Sequence, residues 1–409
     1  MKVAIVGINY MPELTGIAVY TTGMAEYLSE RGSLVTVYTG FPYYPSWSKR
    51  PRDRKRWYQK DHIHSVAVRR SYLYVPARPT AVRRIVHELS FVISASINYL
   101  LGPKADCTII VSPPLFLGIA IALIARLKRS KTLFHVQDLQ PDAAVDLGML
   151  KKGRLTDFLY FVERLTYRSV DRISTISRGM MKKIVDKGVE PGKIFMFRNW
   201  ANDNHIVPSE KKTSYKHDLG LDDKYVVLYS GNMGVKQGLD VLLDAANLLR
   251  DIRAIVLLIV GDGGEKQELQ RKAAKLELTN LVFLPVQPYE RLGELLATAD
   301  VSVIPQKKGV NDIVLPSKLG NIMASGRPLI VTVPANSELG QIVLESESGL
   351  LVEPGDPRQM ADAIMRLYRL PGECDNMARN GRRYMEKQLG RQVILEEFAN
   401  QLELMLKSV

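Results

Sequence analysis

Gly309-Val310-Asn311-Asp312-Ile313-Val314-Leu315-Pro316-Ser317-Lys318-Leu319-Gly320-Asn321-Ile322-Met323-Ala324-Ser325-Gly326-Arg327-Pro328 lies between two apolar runs, Asp300–Pro305 and Leu329–Val333. Both runs read as strands. Ser317 stands where a helix N-cap is expected and Gly326 where a C-cap is expected, so the pattern predicts a short helix over 318–325. Its N-terminus then opens at the carboxyl end of a strand, which is where open α/β sheets bind ligands. Free N–H groups at the helix start, with the charge of Lys318, point to a phosphate or diphosphate.

Outward from this stretch, strands and helices alternate. In the first half Val3–Gly7, Leu34–Thr39, Asp106–Ser112, Thr132–Val136, Arg172–Ser177 and Ile194–Arg198 read as strands. Amphipathic runs at Tyr20–Arg31, Leu115–Arg129 and Gly179–Lys187 read as helices between them. The second half starts afresh, with strands at Tyr225–Ser230, Ala254–Val260, Leu281–Leu284 and Val301–Ile304, and helices at Leu239–Leu249, Lys266–Lys275 and Leu292–Ala297. This is the signature of parallel, doubly wound sheets. A chain of 409 residues suits two domains. The polar stretch Ala201–Asp223, with Pro208 and Lys211-Lys212, reads as the linker, and the tail beyond Gly372 as amphipathic helix. The expected fold is α/β: two Rossmann-like domains, 1–205 and 206–385, with parallel sheets facing a central cleft, then a helical segment, 386–409.

Charge is unevenly spread. Residues 1–200 hold 31 Lys and Arg against 15 Asp and Glu, and residues 201–409 hold 25 against 28, so the net +13 belongs wholly to the first half. Nucleic acid is one partner for such a surface, but no nucleic-acid module is recognisable, and aromatics do not interleave with the basic clusters. An anionic membrane surface fits at least as well. The run Lys49–Arg56 has six basic residues in eight, followed by Trp57 and Tyr58. It reads as a mobile loop, either a solvated charge run or a contact to anionic lipid. Ile85–Leu101 is apolar but interrupted by His87, Glu88, Ser90, Ser94, Ser96 and Asn98, too broken for a span of about 20 apolar residues. A core helix or a helix lying at the membrane surface remains. The N-terminal run Met1–Gly7 reads as a buried strand rather than a signal peptide. Two cysteines, Cys107 and Cys374, suit a reducing cytoplasm.

Three loops could carry chemistry. Tyr10–Ala18 follows the first strand, and Gly16 would let backbone approach a phosphate, or simply make a turn. Its pattern is not Gly-x-Gly-x-x-Gly, which argues against an NAD-binding fold. Tyr229–Leu239 runs from strand to helix through Gly231, Gly234 and Gly238, with Asn232 and Lys236 placed to meet the same anion as Lys318, unless Lys236 is simply a surface lysine on a connecting loop. His135 and Asp138 end a strand of the first half. They are candidates for substrate hydroxyl binding or acid–base work, or else form an Asp-capped turn before Pro141. No Asp-x-Asp pair and no cluster with metal-ligand spacing occurs in the sequence, so neither a metal nor another cofactor is expected.

In their order these segments resemble the retaining GT-B glycosyltransferases of family 4. The resemblance rests on the Gly16 loop, Val260–Gly263, Leu281–Val286, Leu295–Val301, Met323–Pro328 and Ser348–Pro357. It implies a nucleotide-sugar donor, UDP-linked, bound by the C-terminal domain, with Val286-Gln287 near the base. It implies an acceptor on the N-terminal domain and a last helix crossing back to it. The family carries two glutamates separated by seven residues. Here Asn321 occupies the second position and Ile313 the first, with Asp312 one residue earlier as a substitute. Asn321 can still hydrogen-bond a ribose.

Pro316-Ser317-Lys318 in the donor loop resembles transferases of bacterial O-antigen, capsule and colanic acid gene clusters, an N-acetyl-L-fucosamine transferase among them. The implied acceptor is an undecaprenyl-diphosphate-linked sugar at the inner face of the plasma membrane. Lys236 and Lys318 would stabilise the leaving diphosphate, and His135 and Asp138 would orient the sugar. The departure from the glutamate pair also admits a non-catalytic sugar-nucleotide or lipid-binding partner. A sugar-nucleotide epimerase of the same architecture is a further alternative.

Overall fold

The computed structural model describes residues 1–13, 16–146, 153–201, 206–210, 213–309 and 315–407. The chain forms two compact units: Met1–Arg198 with Leu395–Val409, and Asn199–Ile394.

The first unit is built on β1 (Lys2–Val6), α1 (Ile17–Glu30), β2 (Leu34–Gly40), β3 (Tyr58–Ile63), β4 (Val66–Ser71), α2 (Ala81–Leu100), β5 (Cys107–Ser112), α3 (Leu115–Leu127), β6 (Lys131–Val136), α4 (Gln140–Asp146), α5 (Arg154–Ser169), β7 (Arg172–Thr175), α6 (Arg178–Asp186) and β8 (Ile194–Met196). The strand order is β3-β4-β2-β1-β5-β6-β7-β8. Every pairing is parallel except β3 with β4. The inner strands are apolar because helices cover both faces. Connections from β4 through β8 all step in one direction, whereas β1 to β2 steps back. Right-handed crossovers therefore put α2, α3 and α5 on one face of the sheet and α1 on the other.

Two expectations change here. The basic run is not a free loop. Pro51–Asp53 forms a helical turn, Trp57 stacks on Tyr72 at 4.6 Å, and the Lys49 ammonium lies 4.1 Å from the same ring. Tyr58 then opens β3, the antiparallel edge strand. Its sequence, Tyr-Gln-Lys-Asp-His-Ile, is charged in the way exposed edges are, which hid it from a search for apolar runs. In α2 the interrupting polar residues point inward. The Asn98 amide donates to Ser71 Oγ at 2.9 Å, Ser94 donates to the Tyr72 carbonyl, and His87 pairs with the Tyr74 carbonyl. Among the described residues no helix is long and apolar enough to cross a membrane.

The second unit contains α7 (Ser214–Asp218), β9 (Tyr225–Ser230), α8 (Asp240–Leu248), β10 (Ile255–Val260), α9 (Lys266–Lys275), β11 (Leu281–Leu284), α10 (Leu292–Ala297), β12 (Val301–Pro305), α11 (Lys318–Ala324), β13 (Leu329–Thr332), α12 (Glu338–Ser346), β14 (Gly349–Val352), α13 (Pro357–Arg369) and α14 (Pro371–Tyr384). Its sheet is ordered β11-β10-β9-β12-β13-β14, all parallel. Strand β10 is buried throughout: Val256, Leu258 and Val260 join the core on one face, and Ile255, Leu257 and Ile259 the core on the other. The order in which strands are added reverses between β9 and β12, so the loops leaving these two strands flank the switch point of the sheet, where doubly wound folds bind ligands. A π turn at Met385–Leu389 leads to α15 (Arg391–Lys407). Its Phe398 stacks on Phe197 at 3.9 Å, within the first unit.

Candidate functional site

At the switch point of the second unit, backbone must pass close to backbone. Gly231, Gly261 and Gly263 have φ of +152°, +148° and +156°. A Cβ at Gly261 would overlap the Gly231 carbonyl, and one at Gly263 would overlap the Met233 carbonyl. Gly231 N–H donates to the Val260 carbonyl at 2.9 Å and Met233 N–H to the Asp262 carbonyl at 2.7 Å. The Tyr229 hydroxyl donates to the Asn232 carbonyl at 2.5 Å. The loop after β9 is therefore laced to the loop after β10 and held open at its tip, where Asn232 and Lys236 are exposed. The Lys236 carbonyl accepts from Lys307 N–H at 2.9 Å, which ties this loop to the one leaving β12.

Lys318, from α11, lies beneath that tip. Its ammonium sits 4.2 Å from the Tyr229 ring centre, and a Cβ on Gly231 would be 3.0 Å from it. No carboxylate pairs with it among the described residues. Burial pulls its pKa from 10.5 down to about 8. The charge is held over an aromatic face with no carboxylate of the described residues to neutralise it, a costly arrangement for a chain without a ligand.

Beside it is a cavity of about 180 Å³, lined by Ser230, Ser302, Ser317, Lys318 and Asn321 with Leu228, Leu292, Leu296 and Ile322. Ser302 is 1% exposed, and its hydroxyl has no hydrogen-bond partner among the described residues. A buried polar atom without a partner is rare in native proteins. An ammonium and an unpaired hydroxyl on one small cavity suit an anionic fragment with several acceptor oxygens. The cavity is small beside ligand pockets of about 300–1,000 Å³, with room for a fragment of a ligand rather than a whole one.

The predicted helix forms, but its start differs from expectation. Ser317 is in the helical region and its side chain makes no capping bond. Helix α11 has only seven residues, and Lys318 is the charged group at its start. Gly326 follows the helix at φ +64°, as a terminating glycine should. Pro316 precedes Ser317, its carbonyl accepting from Leu319 N–H at 3.0 Å. Gln287 accepts from the Tyr215 hydroxyl at 3.0 Å, and Val286 beside it is exposed beyond β11. Asp312 lies outside the described residues.

In the first unit, Gly16 precedes α1 with φ +59° and open space where a Cβ would be. His135 is buried in β6, with Nδ1 2.9 Å from Ser174 Oγ and Nε2 2.9 Å from the Gln137 amide. Burial lowers its pKa to about 3. In this structure it is a neutral, packed imidazole withheld from any ligand, which departs from the acid–base expectation. Asp138 is half-buried at the strand end. It faces Glu88 of α2, whose carboxylate accepts from Gln140 Nε2 at 3.0 and 3.2 Å. Burial raises the Glu88 pKa, with Asp138 adding to the rise. Glu13 is also buried, accepting from the Tyr43 and Tyr44 amides at 2.8 Å each and from the Asn9 side chain at 2.8 Å.

Sequence reasoning did not single out Tyr229, Ser302, Glu88 or Glu13. For Ser302 a signal existed, a hydroxyl inside the otherwise apolar strand Val301–Pro305. For the other three, long-range packing supplies the role. Among the described residues no group of three or more His, Cys, Asp or Glu gathers as a metal site.

The glycosyl transferases group 1 family matches residues 211–384, and the glycosyl transferase 4-like domain matches residues 15–200. The chain is 37% identical to WcaI of Escherichia coli K12, a protein named for a glycosyl transferase role in colanic acid biosynthesis, over 98% of this chain and 100% of WcaI. Among solved structures it is similar to sucrose-phosphate synthase of Thermosynechococcus elongatus, at TM-score 0.74 and 17% identity over 100% of both chains. It is also similar to HepE of Anabaena in complex with UDP, at TM-score 0.72 and 15% identity over 99% of this chain and 100% of the other. With both halves matched and a relative aligned end to end, the chain belongs to the GT-B glycosyltransferases of family 4, which take their sugar from a nucleotide-sugar donor.

Proposed function

We propose that this chain transfers a sugar, with retention, from a UDP-linked donor to an undecaprenyl-diphosphate-linked sugar during assembly of a bacterial surface polysaccharide such as O-antigen, capsule or colanic acid. N-acetyl-L-fucosamine is the donor sugar favoured by the resemblance of the Pro316-Ser317-Lys318 loop. The observation that carries the reading is the unneutralised Lys318 ammonium beside the cavity that holds the unpaired Ser302 hydroxyl. A diphosphate satisfies both at once.

In the reaction the acceptor oxygen bonds to the anomeric carbon as the bond from that carbon to the diphosphate oxygen breaks. The acceptor proton passes to the departing diphosphate, so no basic side chain is needed on the attacking face. Lys318 and Lys236 stabilise the charge that grows on the leaving group. Asn232 and the Gly231 backbone approach the phosphates, Val286 and Gln287 the base, and Asn321 the ribose, with Asp312 standing in for a missing glutamate. Gly16 and Asp138 serve the sugar from the first unit, and His135 acts only by holding Gln137 in place. The basic first unit keeps the protein at the inner face of the membrane, where its acceptor resides.

The test is a screen of UDP-sugars, UDP-N-acetyl-L-fucosamine included, against a synthetic lipid-diphosphate-linked acceptor, read by mass spectrometry. The expected result is one glycosidic addition with the donor's anomeric configuration. Donor conversion without an acceptor, or no product from any donor, contradicts the proposal.

A further inference from the structure

Helix α2 is apolar on both sides. Phe91, Ala95 and Tyr99 are buried with His87, Ser94 and Asn98 on the inner side, while Val82, Val86, Leu89, Ile93 and Ile97 recur at helical spacing along the outer side, with Ile93 63% exposed. At 1.5 Å per residue, the ridge from Val82 to Ile97 runs about 22 Å along the 20-residue helix. The neighbouring helices extend it. On α3, Leu123 is exposed and Leu127 is 79% exposed. On α5, Phe158, Phe161 and Leu165 are exposed. The three helices are joined side by side. Lys128 donates to the Tyr99 and Gly102 carbonyls at the end of α2, at 2.6 and 2.8 Å, and Phe116 of α3 meets Phe158 of α5 at 6.3 Å. A contiguous apolar face of this extent marks an interaction surface.

The charges around it select the partner. Arg83 and Arg84 on α2, Arg126 on α3, and Arg154, Arg164 and Arg168 on α5 are exposed. The acids on these helices scarcely offset them. Glu163 is buried against Lys187 and Glu88 is bonded to Gln140, which leaves Asp157 as the exposed carboxylate among the described residues. A second copy docking through the same face would bring like charges together. An anionic bilayer instead accepts the apolar ridge among its acyl chains and the guanidinium groups among its headgroups.

We infer that the outer face of α2, α3 and α5 is the surface by which this chain seats on an anionic membrane. The inference deepens the membrane part of the proposed function, and its test needs no sugar transfer. The helix face, rather than the basic run Lys49–Arg56, supplies the attachment.

The experiment is co-sedimentation of the full chain with vesicles of equal parts phosphatidylglycerol and phosphatidylcholine, and with phosphatidylcholine alone. Wild type should sediment with the anionic vesicles. Arg83→Ala with Arg84→Ala should weaken the partition about 30-fold, about 5-fold for each charge removed. Ile93→Ser with Ile97→Ser should abolish it, while UDP binding, measured in parallel, stays unchanged and reports an intact fold. Wild type failing to bind anionic vesicles overturns the inference. So does a loss that follows neutralisation of Arg52, Arg54 and Arg56 but not the helix variants. A dimer that falls to monomer in Ile93→Ser/Ile97→Ser with vesicle binding retained would assign the face to a second copy instead. Transfer activity on a water-soluble acceptor analogue is read separately, so failure of the membrane surface leaves the reaction intact, and the reverse.

Discussion

Replacing Lys318 by Met removes a charge while keeping much of the side-chain volume over the Tyr229 ring. The depressed amine has a definite sign for stability. Its folded-state pKa of about 8 lies below the ordinary 10.5, so holding the ammonium costs the unliganded chain stability below about pH 8. The cost disappears as pH rises from about 8 toward 10.5. At about 1.4 kcal/mol per unit, it amounts to about 3 kcal/mol as an upper bound. Lys318→Met should therefore raise the melting temperature at neutral pH, by about 4–8 °C for 2 kcal/mol in a unit of this size. The same variant should lose a charge-assisted contact of about 1.5–3 kcal/mol to the diphosphate, weakening UDP by about 10- to 150-fold. Turnover should fall about 100-fold if the contact strengthens as the diphosphate leaves. Calorimetric titration with UDP across pH adds a further check. Wild-type affinity should decline as pH rises through about 8, where the free amine loses its proton, and the Met variant should lack this step. A variant no more stable than wild type that binds UDP equally well would refute the reasoning.

Other perturbations test separate parts of the account. Ser302→Ala removes an unpaired buried hydroxyl, so thermal unfolding should show the unliganded chain unharmed or stabilised by about 1 kcal/mol, while UDP affinity falls about 3- to 10-fold. Unchanged affinity would mean that this hydroxyl touches no phosphate. Gly261→Ala forces a Cβ onto the Gly231 carbonyl at φ +148° and should cost about 3 kcal/mol or more by denaturant unfolding. Gly264→Ala, with nothing within 4 Å, should be nearly neutral in the same assay. In the first unit, the Lys187 ammonium lies 2.5 Å from Asp142 and 2.7 Å from Glu163. Lys187→Met leaves the buried Glu163 carboxylate without an ammonium and Asp142 with only Lys183 at 3.8 Å, and should destabilise by about 3 kcal/mol. Burial already raises the Glu163 pKa, so that loss should shrink as pH falls toward the raised value and the acid takes up a proton.

Where the sequence pattern was local and apolar, it told the structure well. Lys266–Lys275, Leu281–Leu284 and Leu292–Ala297 form with the expected bounds, because amphipathic helices and buried parallel strands declare themselves by their period. The hairpin β3–β4 was not legible, since an edge strand of charged residues carries no apolar signal. The orientation of α2 was not legible either: its period is helical whichever face is buried, and only the carbonyls of Arg70, Tyr72 and Tyr74 reveal that His87, Ser94 and Asn98 turn inward. Lys318 was identified from its place after a strand. What it faces, an aromatic ring, a glycine and a hydroxyl from a neighbouring strand, depends on contacts between distant segments. His135 shows the converse. A histidine at a strand end invites a catalytic reading, but Ser174 and Gln137 occupy both its nitrogens.

The most direct measurement is a crystal structure of the chain with UDP. The account predicts the diphosphate within hydrogen-bond reach of the Lys318 ammonium, with a phosphate oxygen directed at Ser302 and the Gly231–Lys236 loop closing over it. A nucleotide bound elsewhere, with Lys318 still unneutralised over the Tyr229 ring, would contradict it.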